Sequence, residues 1–311
     1  MEAFRSFLSG IAYSLGSVTP IDELQETETI SAESLAILKQ RGLASFCKET
    51  RPTPDMCLSS VFETLGSVSL TPERIDAIVF ANSYPDWNAE NETALLTAFY
   101  QAGFGRAYIV GLTLQGCSAC AAALRVASDL TKNRLIIDNA LVILCGRVSD
   151  GSRLGPHATT INGDGAASCI VSSEHGQFEI LASESQTNAS LAGMEQSSKS
   201  LTRYVRTGFL DLCEISGRAL SSSGMRSSEI RALFGTNGSL MYLDLMAEAT
   251  QVPPERVYKE PLATYGHVHA CDNLIGLKTY CEKSEPRRGE NYMLLGWSPY
   301  VVSASIIRFV G

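Results

Sequence analysis

Two stretches of the chain follow the same course: Leu70–Ser83, LTPERIDAIVFANS, and Met225–Gly238, MRSSEIRALFGTNG. Each has a Ser or Thr residue, a short charged turn, Ile-x-Ala and an apolar run ending in small polar residues. A second pair, Leu141–Arg147 (LVILCGR) and Met293–Trp297 (MLLGW), reads as a strand running into a glycine. The offsets are 155 residues (Ile75 to Ile230) and 150 residues (Gly146 to Gly296), so order and spacing persist across the 311 residues. Self-similarity at a fixed offset is the mark of a duplicated unit. It constrains the fold more than any single motif, because whatever one half forms the other must form as well. The expected halves are 1–173 and 174–311.

Short continuous apolar runs such as LVILCG read as strands buried on both faces, so each half should be a mixed sheet covered by helices. Helical patterns are predicted over Ser31–Arg41, Asp55–Gly66, Glu92–Gly103, Ser118–Lys132 and Leu240–Thr250. Ser183–Ser200, polar and Ser-rich, reads as a loop and a candidate access flap. Ala81–Glu92, ANSYPDWNAENE, is a loop that could shape a pocket or a subunit edge and is given no chemistry. Hydrophobic residues make up 45% and charged residues 19%, an ordinary globular balance. A net charge of -8 argues against nucleic-acid binding, since no basic stripe is present to neutralise phosphates. No run approaches the 18 apolar residues of a membrane span. The nine cysteines are odd in number and several sit in apolar runs; with no secretory segment at Met1–Gly10, free thiols in a cytoplasmic protein are expected. Four histidines without paired Cys-x-x-Cys motifs make a structural zinc site an unpromising reading, so no metal is expected.

Leu114–Val126, LQGCSACAAALRV, places a thiol where small residues run into an apolar helix. Three readings fit these residues alone: small buried cysteines, a redox pair, or a nucleophile at a helix N-terminus, whose unpaired N–H groups favour thiolate. The duplication bears on the choice. Carrying the offset of 150 to 155 forward from Cys117 leads to 267–272, within YGHVHACD. If the halves are related by a pseudo-twofold axis, Cys117 and His267 face one seam, as a nucleophile and its base.

Four motifs, in order along the chain, give a resemblance to the thiolase superfamily, nearest to beta-ketoacyl-acyl carrier protein synthase III. They are GCSACAAALRVA (from Gly116), INGDGAASCIV (from Ile161), YGHVHACDNLIGL (from Tyr265) and MLLGWSPYVVSASIIRF (from Met293). The resemblance implies an α/β, five-layered α-β-α-β-α fold built from two halves, a dimer, and a cysteine nucleophile at Cys117. Its substrates are acyl thioesters of coenzyme A or of the phosphopantetheine arm of an acyl carrier protein, with no permanently bound cofactor. The family's usual site is Cys-His-Asn, whose His and Asn hold the enolate-like oxygen formed when a malonyl group loses carbon dioxide. Here Thr236 stands at the His position and His267 at the Asn position. Decarboxylative condensation should therefore be weakened, on a scale of about 3 to 4 kcal/mol per lost oxyanion donor. The resemblance is nearest to those members, acting in secondary metabolism, that have a histidine at the Asn position and transfer acyl groups to heteroatoms with help from an acidic residue.

What the residues retain suits acyl transfer: Cys117 accepts the acyl group and His267 deprotonates a hydroxyl or amine acceptor. Thr236, Asn237 and Asp272 are the candidates for supporting His267. By the resemblance, the oxyanion hole uses the backbone N–H of Cys117 and that of Ser298. Arg41 is the remaining candidate for a coenzyme A phosphate contact, because the family's adenine-stacking tryptophan is missing from LAILKQRGLASF. Cys120 reads as a packing residue, His269 as one that packs or supports the site from behind, and Asp164 as a turn stabiliser. Two other functions stay open: a decarboxylative condensing enzyme, and a non-catalytic subunit paired with another ketosynthase-like chain. A homodimer and such a heterodimer are both compatible.

Overall fold

The computed structural model describes residues 5–24, 30–83, 87–132, 137–148, 153–194 and 200–311. Nine strands form the main sheet: β1 (Phe7–Leu15), β4 (Ala77–Asn82), β5 (Tyr108–Leu112), β6 (Asn139–Gly146), β7 (Gly165–Ser172), β8 (Phe178–Thr187), β9 (Ile230–Gly235), β10 (Asn291–Trp297) and β11 (Val301–Phe309). Two short strands, β2 (Ser17–Pro20) and β3 (Ser45–Lys48), pair separately. The order is β5-β4-β6-β7-β1-β8-β11-β10-β9. Apart from the edge strand β5 it reads as a palindrome: β4 and β6 are parallel with β7 antiparallel to β6, and β9 and β10 are parallel with β11 antiparallel to β10. The two sets meet at β1 and β8, joined by only two residue pairs. The proposed boundary at 173/174 falls in the turn between β7 and β8.

Among the described residues eight helices cover and fill this frame: α1 (Ala32–Gln40), α2 (Thr53–Ser67), α3 (Ala89–Gln101), α4 (Ala119–Thr131), α5 (Leu201–Ser223), α6 (Leu240–Thr250), α7 (Glu260–Tyr265) and α8 (Asp272–Lys283). Three apolar clusters define the layering. One joins α2 and α3 to the outer face of β4 and β6. A second joins α5 and α6 to the outer face of β9–β11. Between them, α4 and α8 pack against the inner faces of both strand sets. Alternation along the strands makes this possible. Val142 and Leu144 of β6 point inward while Leu141 and Ile143 point outward, and Leu294 and Leu295 of β10 divide in the same way. The result is α-β-α-β-α, as expected.

The five predicted helices are present within a few residues at each end. Three others were hidden: the short α7, and the longer α5 and α8. In α5 the buried stripe mixes Leu212, Ile215 and Ala219 with Gly208 and Ser216, and a Cβ at Gly208 would come within 3.0 Å of the Trp297 ring, so close packing interrupts the apolar face. In α8 the buried set includes Asp272, Asn273, Gly276 and Thr279, which breaks any apolar period. The Ser-rich stretch from Ser183 is corrected as well. Residues 183–187 end β8 and pair with β11, where Ser183 and Ser305 hydroxyls meet at 2.8 Å; matching serines on two strands disguised the ladder. Residues 195–199 of the supposed flap, and 84–86 of the Ala81–Glu92 loop, lie outside the described residues.

Candidate active site

Cys117 lies in a 3-10 turn, Gly116–Ser118, that runs into α4. The strand ends of the other half clamp this turn. The Ser118 hydroxyl donates to the Val301 carbonyl at 2.8 Å, and the Ser303 hydroxyl donates to the Ser118 carbonyl at 2.8 Å. From its own half, the Ser83 hydroxyl donates to the Gly116 carbonyl at 3.0 Å. Glycine is required at 296, where a Cβ would come within 2.7 Å of the Ser118 backbone. The nucleophile candidate is thus fixed by β10 and β11 rather than by its own helix alone.

His267 comes from the loop between α7 and α8. Its N–H donates to the Ile161 carbonyl at 2.9 Å, and Gly266 before it has φ +67°, a left-handed conformation that favours glycine. These constraints aim the imidazole at the thiol: His267 Nε2 is 2.9 Å from Cys117 Sγ. On the other side, His267 Nδ1 is 2.6 Å from Asp272 Oδ2. The Asp272 carboxylate also accepts the Asn237 N–H at 2.7 Å and the Val268 N–H at 2.8 Å. As the first residue of α8 it sits where unpaired helical N–H groups favour a negative charge. Both His267 and Asp272 are buried, at 4% and 1% exposure. Of the three candidates offered for supporting His267, Asp272 therefore makes the direct contact, and Asn237 contributes its backbone N–H to Asp272. Thr236 lies at the pocket wall, but its hydroxyl oxygen accepts the Trp297 N–H at 2.9 Å.

Electrostatics separate this thiol from the others. Burial opposes a charge on Cys117, yet the His267 imidazolium, with His269 beside it, lowers the thiol from 9.0 to about 6. Burial likewise disfavours a charged His267, but the thiolate and the Asp272 carboxylate on either side hold its pKa well above the usual value. Each member of the pair thus favours the charged form of the other, thiolate on Cys117 and imidazolium on His267. Burial instead pushes Cys120 up to about 12 and raises Cys169 and Cys271, so these are packing thiols.

Two expectations are corrected. The Ser298 N–H donates to the Val301 carbonyl at 2.8 Å inside the β10–β11 turn, so it is already engaged and does not face the pocket as a second oxyanion donor. Arg41 does not present its Nη1 to a phosphate; that atom donates to the carbonyls of His157 (3.2 Å) and Ala158 and braces the pocket loop. Asp164 pairs with buried Arg153 at 2.8 Å and accepts the Glu49 and Val148 N–H groups, a structural knot away from the thiol. His269, read as packing or supporting the site from behind, instead places Nδ1 3.8 Å from Cys117 Sγ. Asn273 was passed over: its amide donates to the Phe234 and Leu295 carbonyls and anchors the start of α8 to β9 and β10. The run CDN entering an apolar stretch was the available signal for a helix start. The cavity above the thiol has a volume of about 230 Å³ and is walled by Tyr204, Tyr242, Trp297 and Pro299, with Trp297 and Tyr242 rings 4.9 Å apart.

Residues 220–308 match the family model described as 3-Oxoacyl-[acyl-carrier-protein (ACP)] synthase III C terminal. Beta-ketoacyl-[acyl-carrier-protein] synthase III of Aquifex aeolicus (strain VF5) is 22% identical over 244 residues, covering 76% of this chain and 77% of the relative. Over these residues the chain is similar to ketosynthase III proteins of the thiolase superfamily. The fold agrees. The solved 3-oxoacyl-[acyl-carrier-protein] synthase III from Aquifex aeolicus VF5 is 19% identical with a TM-score of 0.83, covering 98% of this chain and 100% of that one. ChlB3, whose description is acyltransferase, is 18% identical with a TM-score of 0.82, covering 98% of each chain. The priming beta-ketosynthase of the R1128 polyketide biosynthetic pathway is 15% identical with a TM-score of 0.79, covering 98% of this chain and 96% of that one. Among the described residues no helix is long and apolar enough to cross a membrane.

Proposed function

We propose that this ketosynthase III-like chain is an acyltransferase that moves an acyl group from a coenzyme A or acyl-carrier thioester, through acyl-Cys117, to a hydroxyl or amine. The observation that carries the reading is the unbroken line Cys117–His267–Asp272, at 2.9 and 2.6 Å. In the first half-reaction the Cys117 thiolate attacks the thioester carbon, and the leaving thiolate takes the proton held on His267 Nε2. His267 is then neutral, with its remaining proton on Nδ1 facing Asp272, and is set to take the acceptor's proton as the acceptor attacks the acyl-enzyme. Collapse returns the Cys117 thiolate and the His267 imidazolium. Likeness in fold to ChlB3 supports this reading, and so does Thr236, whose hydroxyl oxygen is turned to the Trp297 N–H and does not replace the imidazole used in decarboxylative condensation.

Intact-protein mass spectrometry after incubation with acyl-coenzyme A and acyl-carrier thioesters tests the reading. The expected result is an acyl adduct on the wild type, its absence in Cys117→Ala, and its discharge by hydroxyl or amine acceptors. Release of labelled carbon dioxide from a malonyl thioester at the rate of acyl turnover would instead establish a condensing enzyme. The absence of any adduct with an intact thiol would overturn the catalytic reading of the isolated chain and favour the partner-subunit role. The dimer belongs to the same proposal: β5 ends the sheet, and Tyr108 on it and the nearby Leu114 are 61% and 74% exposed, offering an edge for a second chain. Mass by light scattering checks it.

A further inference from the structure

Two imidazoles reach Cys117, and the mechanism above uses one. His269 follows His267 by two residues, in the 3-10 turn His269–Cys271 that leads into α8. Its Nδ1 is 3.8 Å from Cys117 Sγ, against 2.9 Å for His267 Nε2. Its Nε2 is buried and has no hydrogen-bond partner among the described residues. The ring is set in place deliberately. His269 takes a left-handed backbone, φ 54°, and Gly146 at the end of β6 leaves the room, since a Cβ there would lie 2.5 Å from His269 Cδ2. A side chain held in an uncommon backbone region, with one nitrogen unpaired and the other aimed at a nucleophile, is placed for chemistry rather than for packing.

The tautomer follows from the surroundings. A proton on Nε2 would leave an orphan buried N–H and turn the Nδ1 lone pair toward a thiolate. A proton on Nδ1 gives that N–H an anionic acceptor and leaves only a lone pair unmatched. His269 then faces the sulfur as an N–H donor. At 3.8 Å it stands back from the sulfur by about one atom, where an oxygen two bonds from that sulfur comes to rest. The site also needs such a donor, because the Ser298 N–H is spent on Val301.

We propose that His269 is a further catalytic residue: its Nδ1–H donates to the carbonyl oxygen of the acyl donor as that oxygen becomes an oxyanion. The assignment rests on the acyl-Cys117 reading and divides the work. The S–C bond forms as the carbonyl π pair moves onto oxygen, where His269 holds it. The pair then returns to carbon as the donor's thiolate departs and collects the proton from His267. His269 keeps its own proton throughout.

Two probes of Cys117 separate this role from support of the thiolate. Alkylation by iodoacetamide consumes the thiolate without forming an oxyanion; acylation by p-nitrophenyl acetate forms one. Both are followed against pH, with Cys117→Ala as background, and compared on the high-pH plateau where the thiolate is fully formed. In His269→Ala the acylation plateau is expected to fall about 10²- to 10³-fold, the scale for one lost oxyanion donor, while the alkylation plateau stays nearly unchanged. His269→Gln, which restores an N–H donor, should recover part of the loss, and Gly146→Ala, which displaces the ring, should show the same split. Equal losses in both reactions, or none in acylation, would overturn the proposal, as would failure of the ester to acylate wild-type Cys117. If the ester shows the split but no acyl-coenzyme A or acyl-carrier thioester loads the wild type, the substrate reading fails and the role of His269 stands.

Discussion

The starts of α4 and α8 occupy corresponding places in the palindromic strand order and meet in the middle layer, yet they are built for opposite tasks. At α4 the entering residues are small, GCSACAAA, and the side chain presented is a thiol with no acid nearby on its own helix. At α8 the first residue is Asp272, its carboxylate saturated by two backbone N–H groups and by His267. Each helix N-terminus favours an anion. One serves a carboxylate held by three hydrogen-bond partners; the other serves a thiolate that must be free to react. Between the carboxylate and the thiol stands the His267 imidazole. The comparison teaches that a repeated frame supplies two similar electrostatic sites, and that one substitution set turns one of them into a nucleophile and the other into a fixed charge that polarises the base.

Removing that imidazole should break this arrangement most severely. In His267→Ala the acyl transfer rate is expected to fall about 10³- to 10⁴-fold, since both the leaving-group proton and the acceptor's base are lost. Iodoacetamide alkylation gives an independent check. In the wild type the thiol titrates at about 6, well below its ordinary 9.0, so alkylation should rise with pH through about 6 and level off above it. Without His267 that rise should move toward 9.0. Acylation by a thioester has a second limb. It needs the His267 proton, which is held below the raised imidazole pKa and lost above it, so its rate should fall again at high pH where alkylation does not.

Asp272→Asn sharpens the comparison by making the α8 start electrically resemble that of α4. The amide keeps the shape, but it removes the charge that holds the imidazolium and offers an N–H where an acceptor is required. A loss of about 10²-fold or more in acyl transfer is expected, up to the 10⁴-fold seen when a triad carboxylate is replaced by its amide. Because the fixed charge acts through His267, the alkylation midpoint should also move up from about 6. A loss of transfer with an unmoved midpoint would show that Asp272 only orients the ring.

Legibility in the sequence followed the same divide. The duplication is readable because β4, β6, β9 and β10 are short apolar runs at a constant offset, and that offset leads from Cys117 to His267. Asp272 was within view but had no more claim than Asn237 or Thr236, because the choice depends on which atom faces His267 Nδ1 across a helix start. His269 was misjudged for a related reason: only its left-handed backbone turns Nδ1 to the thiol, and nothing in the residue pattern announces that. The engagement of the Ser298 N–H and the Arg41 guanidinium are also partner choices, made by a four-residue turn and by the carbonyls of residues 157 and 158. Helix α8 escaped notice because it is buried nearly all round while carrying Asp272, Asn273 and Thr279.

The smallest expected effect tests how the α4 start is held. Ser303→Ala removes one hydrogen bond, to the Ser118 carbonyl, at a cost of about 0.5 to 1.5 kcal/mol in folding stability by denaturant titration. The Ser118 hydroxyl still donates to Val301 and the Ser83 hydroxyl to Gly116, so the turn keeps two of its three clamps. The alkylation midpoint should therefore remain near 6, since His267 and Asp272 are anchored independently through Ile161, Asn237 and Val268. A midpoint that shifted upward with Ser303→Ala would mean that the α4 side sets the ion pair as strongly as the α8 side does. In that case the nucleophile turn, and not only the fixed carboxylate, would be the tuned half of the site.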